Sequence, residues 1–210
     1  GGGVHSAGEP TPTGLASSLA IRGSSIVDNE ATDGGGGGIA SGGDGSLTLD
    51  SVTISGNVAS GSGGGVSVDG RSALTISGGT FSSNQAHGEG GGLSVESGRA
   101  ARITGTAFTG NDAGVPTEAE AGEAGGGALV SGGDGTLEVS GASFTGNSAS
   151  SEGGALLLGN RGSVTITGSA LEGNEAGSGG GAIENAGSRV TLSGLTITGN
   201  RAQADGGGIE

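Results

Sequence analysis

The chain has 210 residues, of which 55 are glycine, with three phenylalanines as its only aromatics, no cysteine, and 21 acidic residues against seven basic ones that are all arginine. The missing cysteine excludes disulfide frameworks and thiolate metal sites. The net charge of −14 argues against a nucleic-acid surface and disfavours anionic membranes, since phosphates would be repelled. Glycine at this level without a period is a disordered composition, so any fold must rest on repetition.

The chain opens with Gly1-Gly2-Gly3-Val4 and closes with Gly206-Gly207-Gly208-Ile209, the same feature. It therefore reads as one array over 1–210, cut in mid-repeat at both ends, a fragment of a longer protein. Between Val4 and Leu19 lies a segment with Pro10 and Pro12, and a surface-loop insertion is expected near 6–13. Ile26, Asn29 and Ala31 then open a pattern that recurs to the end of the chain.

The asparagine column is Asn29, Asn57, Asn84, Asn111, Asn147, Asn174 and Asn200, in steps of 28, 27, 27, 36, 27 and 26 residues. Three residues before each stands Ile26, Ile54, Phe81, Phe108, Phe144, Leu171 or Ile197, and two residues after each stands an alanine, from Ala31 to Ala202. A glycine run follows, then Ile39, Val66, Leu93, Leu129, Leu156, Ile183 or Ile209. Next comes a short alternating stretch, such as Leu47/Leu49, Leu74/Ile76 or Val164/Ile166. Each repeat thus carries three short runs at strand spacing and no helical period. The long step has a local cause, an insertion over 114–123, again expected as a surface loop. A second period of 90 residues relates SGGDGSLTL at Ser41 to SGGDGTLEV at Ser131, marking duplicated three-coil units, 39–128 and 129–209.

Three strands per repeat of about 27 residues predict an all-β, single-stranded parallel β-helix of about seven coils, a rod of roughly 34 Å at the ~4.8 Å strand spacing. Like side chains should stack inside, Phe81 on Phe108. The asparagines are assigned structural roles: each tolerates the left-handed backbone of a corner, and their amides bond along the stack. Two other solenoids fit less well. A leucine-rich repeat lacks its further leucine column and helical return, and the calcium nonapeptide pattern fails where Leu47 occupies the required aspartate position.

The FxxN motif in Phe81-Ser82-Ser83-Asn84, Phe108-Thr109-Gly110-Asn111 and Phe144-Thr145-Gly146-Asn147, with Gly180-Gly181-Ala182-Ile183, resembles the repeats of the chlamydial-type polymorphic outer membrane proteins and related bacterial β-helix surface proteins. The departures are Ile or Leu for Phe in four repeats and Gly for Ala in four. The resemblance implies a right-handed β-helix displayed at a bacterial surface or secreted, passenger-like and adhesive, with a host-surface protein or glycan as partner.

Chemistry is sparse. The absence of lysine excludes a Walker phosphate loop, His5 and His87 stand apart from other ligand types, and no apolar run of membrane-spanning length occurs. No catalytic residue and no cofactor are assigned. The enzymatic alternative is a polysaccharide lyase or glycoside hydrolase, with carboxylates from stacked positions such as Asp50 and Asp69; aromatic sugar platforms are missing. The loop after each asparagine holds Glu30, Asp33, Glu89, Asp112, Glu118, Glu120, Glu123, Glu152, Glu175 and Asp205, expected to line one edge. That edge reads first as a solvated face. Its functional alternative is binding of Ca²⁺, with Glu118, Glu120 and Glu123 as ligands, or of a basic partner. Inter-coil ion pairs are expected between Asp44 and Arg71 and between Asp134 and Arg161, and open coil ends should invite end-to-end association.

Overall fold

The computed structural model describes residues 2–8, 17–115, 124–159 and 161–210. The Gly-Gly-apolar junctions, the alternating stretches, the apolar-x-x-Asn segments and the Asn-x-Ala segments each form strands. Each class of strand stacks only on its own kind, giving four parallel seven-stranded sheets. The result is a right-handed parallel β-solenoid, and no helix occurs among the described residues. Sheet A begins with Val4–Gly8 and ends with Ile183–Glu184, sheet B runs from Ser17–Arg22 to Arg189–Ser193, sheet C from Ser25–Val27 to Thr196–Thr198, and sheet D from Glu30–Ala31 to Arg201–Ala202.

The period thus conceals a fourth strand. Sheet D consists of two-residue strands that keep the alanine column in register, Ala59 beside Ala86 and Ala86 beside Ala113. A two-residue strand shows no alternation, so sequence alone merges it into the corner. The first insertion also starts later than expected: Ser6 to Gly8 belong to the first strand and pair with Ser41 to Gly43. The remainder of that insertion, and 116–123 of the second, lie outside the described residues. The second insertion leaves the stack intact, because Leu93 still pairs with Leu129 and Phe108 with Phe144 across it.

The core is a set of columns. Ile39, Val66, Leu93, Leu129, Leu156 and Ile183 are at most 1% exposed, and Leu47, Leu74, Leu137 and Val164 are equally buried beside them. Phe81, Phe108 and Phe144 stack with ring centroids 4.8 and 5.0 Å apart and interplanar angles of 24° and 9°. Strand spacing fixes those separations, and three rings fill a bore otherwise lined by Ala, Val, Ile and Leu. The columns are only partly covered in the first and last coils, at Leu19, Ile21 and Ile26 and at Val190, Leu195 and Ile197.

The asparagines do not supply the left-handed corner. The residue before each one does: Asp28, Gly56, Ser83, Gly110, Gly146, Gly173 and Gly199 all have φ between 53° and 63°. This frees each asparagine to extend its amide along the axis. Asn84 Nδ2 donates to Asn111 Oδ1 at 2.9 Å and to Ile54 O of the preceding coil at 3.0 Å, while the Asn84 backbone N–H donates to Asn111 Oδ1 at 3.1 Å. The same bonds run unbroken from Asn29 to Asn200. Asn57, Asn84, Asn111, Asn147 and Asn174 are at most 1% exposed, and every one of their amides is satisfied, as burial demands.

Candidate functional surface

Among the described residues, the end of the loop leading from an Asn-x-Ala strand to the next glycine corner lies against the outer face of sheet A. Side chains there that point away from the core are buried nonetheless: Ser94 is 1% exposed and Val130 4%. The residue just before the corner faces the outward side chain of the sheet A strand one coil on. A Cβ at Gly35 would stand 3.2 Å from Ser67 Oγ, and one at Gly125 2.5 Å from Leu157 Cδ2. Where that position is acidic, as at Glu89 and Glu152, a carboxylate is carried onto a partly dry face.

The seven described loop acids therefore do not form the single edge expected of the ten. Glu30, Asp112 and Glu175 lie on sheet D, one residue after their asparagines, in register with Val58, Ser148 and Arg201. There two of them find partners: Ser148 Oγ donates to Asp112 Oδ1, and Arg201 Nη1 lies 3.6 Å from Glu175 Oε1. Glu89, Glu152 and Asp205 form a separate row at the corner, beside the outer face of sheet A. The two-residue strand and the turn after it separate the rows. Glu118, Glu120 and Glu123, the Ca²⁺ candidates, lie outside the described residues. Among the described residues no group of three or more His, Asp or Glu is arranged to hold a metal.

Titration is perturbed at Glu89 in the corner row and at Glu184 on the last sheet A strand. Burial first, and then the neighbouring carboxylates of Glu96 and Glu152, push the Glu89 carboxyl above the usual range. Burial, then Glu210 and Glu152, do the same to Glu184. No ion pair among the described residues reaches any of these five acids.

Of the two expected inter-coil ion pairs one forms. Arg71 Nε lies 3.5 Å from Asp44 Oδ1, and Arg99 Nη2 approaches the same oxygen at 3.9 Å from a further coil. Arg161 keeps the equivalent backbone bond to Gly133, as Arg71 does to Gly43, yet Asp134 and Arg161 make no ion pair among the described residues. The best-formed pair, Arg102 Nη2 to Glu138 Oε2 at 2.8 Å, joins residues in register on sheet B. Its signal was present in the sequence, but the long step between the two coils hides it until the insertion is subtracted.

A cleft of about 390 Å³ opens near the first coil, lined by His5, Asp33, Ser67 and Asp69 over a floor of Gly34, Gly35, Gly42 and Gly43. Asp69 thus stands at a cavity. Asp50, its expected companion, sits on sheet B in register with Arg22 and Ser77, on a different face of the rod.

The fold and its repeating junctions define a right-handed β-helix protein. Residues 13–144 match the family model described as the right handed beta helix region, and the chain belongs to that family. Residues 141–159, which hold Phe144, Asn147 and the Gly153-Gly154-Ala155-Leu156 junction, match the Chlamydia polymorphic membrane protein repeat. No curated protein and no solved structure matches the chain. No helix is long and apolar enough to cross a membrane among the described residues.

Proposed function

We propose that the chain is a non-enzymatic β-helix displayed at a bacterial surface or secreted, the passenger-like part of a larger protein that holds a rigid acidic face out for contact with a host-surface protein or glycan. The observation that carries this reading is the match of residues 141–159 to a repeat of surface membrane proteins. The uninterrupted ladder through every coil supports it, because a rod stiffened along its axis suits projection. Protease treatment of intact source cells should remove the array while cytoplasmic markers survive. Beads coated with the chain should adhere to host cells or glycan panels more than uncoated beads do. Array protection on intact cells, with equal adhesion of both bead types, would sink the proposal.

The alternative, a polysaccharide lyase or glycoside hydrolase, is favoured by one feature, the cleft that brings Asp33 and Asp69 together with His5. Release of unsaturated uronates or new reducing ends from acidic polysaccharides, abolished by Asp69→Asn, would support it over adhesion.

A further inference from the structure

The 90-residue duplication carries a triad with it: Asp44, Arg71 and Arg99 in the first unit, Asp134, Arg161 and Arg189 in the second. All six stand at or beside the turns from sheet A to sheet B. In the first unit the triad is closed. Asp44 Oδ1 lies 3.5 Å from Arg71 Nε and 3.9 Å from Arg99 Nη2, so two arginines from consecutive coils hold one carboxylate. In the second unit it is open. Arg161 and Arg189 are exposed, and neither makes an ion pair among the described residues. The cause is the length of a turn: Val190 follows Ile183 by seven residues, where Ala101 follows Leu93 by eight. Arg99 thus precedes its sheet B strand, Ala101–Thr104, by two residues, whereas Arg189 is the first residue of its strand, Arg189–Ser193, in register with Ser163. The shorter turn carries Arg189 off the corner and onto the outer face of sheet B.

On that face Arg189 meets hydroxyls. Val164 and Ile166 point into the core, so Ser163, Thr165 and Thr167 point outward, with Thr191 beside Thr165 and Ser193 beside Thr167. Glu138, in register with Thr165 one coil earlier, is held by Arg102 at 2.8 Å. Two unpaired guanidiniums, on coils ~4.8 Å apart along the axis, therefore border a neutral hydroxyl surface on a chain whose net charge is −14.

We propose that Arg161 and Arg189 bind the carboxylate of an acidic sugar, while Ser163, Thr165 and Thr191 bond to hydroxyls of the same glycan. The Asp44 carboxylate between Arg71 and Arg99 shows the arrangement, and in the second unit an external carboxylate takes that role. Guanidinium N–H groups match a carboxylate in geometry as well as in charge. The net charge repels a densely charged polyanion, so the fitting ligand has one carboxylate among neutral sugars rather than the many of an acidic protein segment. All three phenylalanines are buried, leaving no ring to stack on a sugar, so a single glycan binds weakly and a multivalent surface binds by avidity. Such a site presupposes the surface-contact function and gives it a ligand class.

The test is an ¹⁵N NMR titration of the chain with 3′-sialyllactose, which carries a single carboxylate, and with lactose, which carries none. Sialyllactose should give saturable shifts at the Nε–H groups of Arg161 and Arg189 and at the amides of Thr165 and Thr191, and lactose should give none. Arg161→Gln and Arg189→Gln should each weaken binding about tenfold or more, because each loses a charge-assisted bond. Arg71→Gln, whose arginine is engaged by Asp44, should leave binding unchanged. Absence of saturable shifts with sialyllactose would overturn the proposal, as would equal shifts with lactose, unaltered binding in either Arg161→Gln or Arg189→Gln, or an equal loss in Arg71→Gln. Tighter binding of polyglutamate at the same residues would overturn the choice of a sugar. Binding is read on the purified chain, so its failure leaves surface display standing, and protection of the array on intact cells leaves the binding result standing.

Discussion

Asn84 and Asn111, one coil apart, are joined by an amide-to-amide hydrogen bond of 2.9 Å with both side chains fully buried. Asn111 Oδ1 accepts from the side chain and from the backbone N–H of Asn84, so one oxygen satisfies two buried donors. Replacing Asn111 by alanine orphans both of those bonds' donor hydrogens on Asn84 and also removes the 3.0 Å bond from Asn111 Nδ2 to the Phe81 carbonyl. At ~1–3 kcal/mol for each buried group left unsatisfied, the expected loss is about 3 kcal/mol or more. Asn111→Asp should be at least as damaging, since a carboxylate has no hydrogen to give Phe81 O or Asn147 Oδ1. Urea denaturation of the two variants measures this, and a loss below about 1 kcal/mol for either would show that the ladder does not hold the coils together.

The residue before each asparagine tests the corner separately. Gly110 has φ of 60°, and nothing lies within 4 Å of the place a Cβ would occupy, so Gly110→Ala meets conformational strain without a clash. The left-handed penalty of ~1–2 kcal/mol for an L-residue, less the entropy removed from the unfolded chain, predicts a net destabilisation of about 1 kcal/mol. Ser83 adopts φ of 53° in the equivalent place, and Ser83→Gly should stabilise by up to about 1 kcal/mol. Opposite signs for the two substitutions in thermal melts are the expected result; equal signs would contradict the assignment of the corner to this column.

The period, the core columns and the Phe81–Phe108 stack were legible because one residue type recurs wherever one environment recurs. What escaped was short or non-periodic. The sheet D strands have two residues and no alternation. The left-handed column mixes Asp28, Ser83 and Gly110, so no single letter marks it, whereas the asparagine beside it is invariant within the array and drew the role to itself. The division of the loop acids into two rows depends on which way Glu89 and Glu175 point after a two-residue strand, a matter of backbone direction that spacing alone does not carry.

Surface ion pairs should matter little. Arg71 is 74% exposed and sits at 3.5 Å from Asp44, with Arg99 already at the same carboxylate. Arg71→Ala is expected to change stability by no more than about 1 kcal/mol. Arg102→Ala, which breaks the shorter 2.8 Å pair with Glu138, should fall in the same range because both partners are more than half exposed, at 64% and 55%. A double-mutant cycle on Arg102 and Glu138 gives the pairwise energy directly, and a coupling above about 2 kcal/mol would mean that the pair is shielded from water as part of a network.

Glu89 and Glu184 give stability an unusual dependence on pH. Glu89 and Glu184 hold their protons more tightly in the folded chain than in the unfolded one, because burial and neighbouring carboxylates oppose their ionisation. The folded state then binds more protons than the unfolded state between the two values, and stability falls as pH rises through that window. Their contribution is fully present below the ordinary glutamate range and is lost as pH rises through the raised folded values, the reverse of a salt-bridged carboxylate. Denaturation midpoints should therefore be higher in mild acid than at neutral pH. Glu89→Gln and Glu184→Gln should each raise the neutral midpoint and flatten the profile, the former more strongly because Glu89 is the more buried of the two. Profiles that stay parallel to wild type in both variants would place the pH dependence elsewhere on the rod.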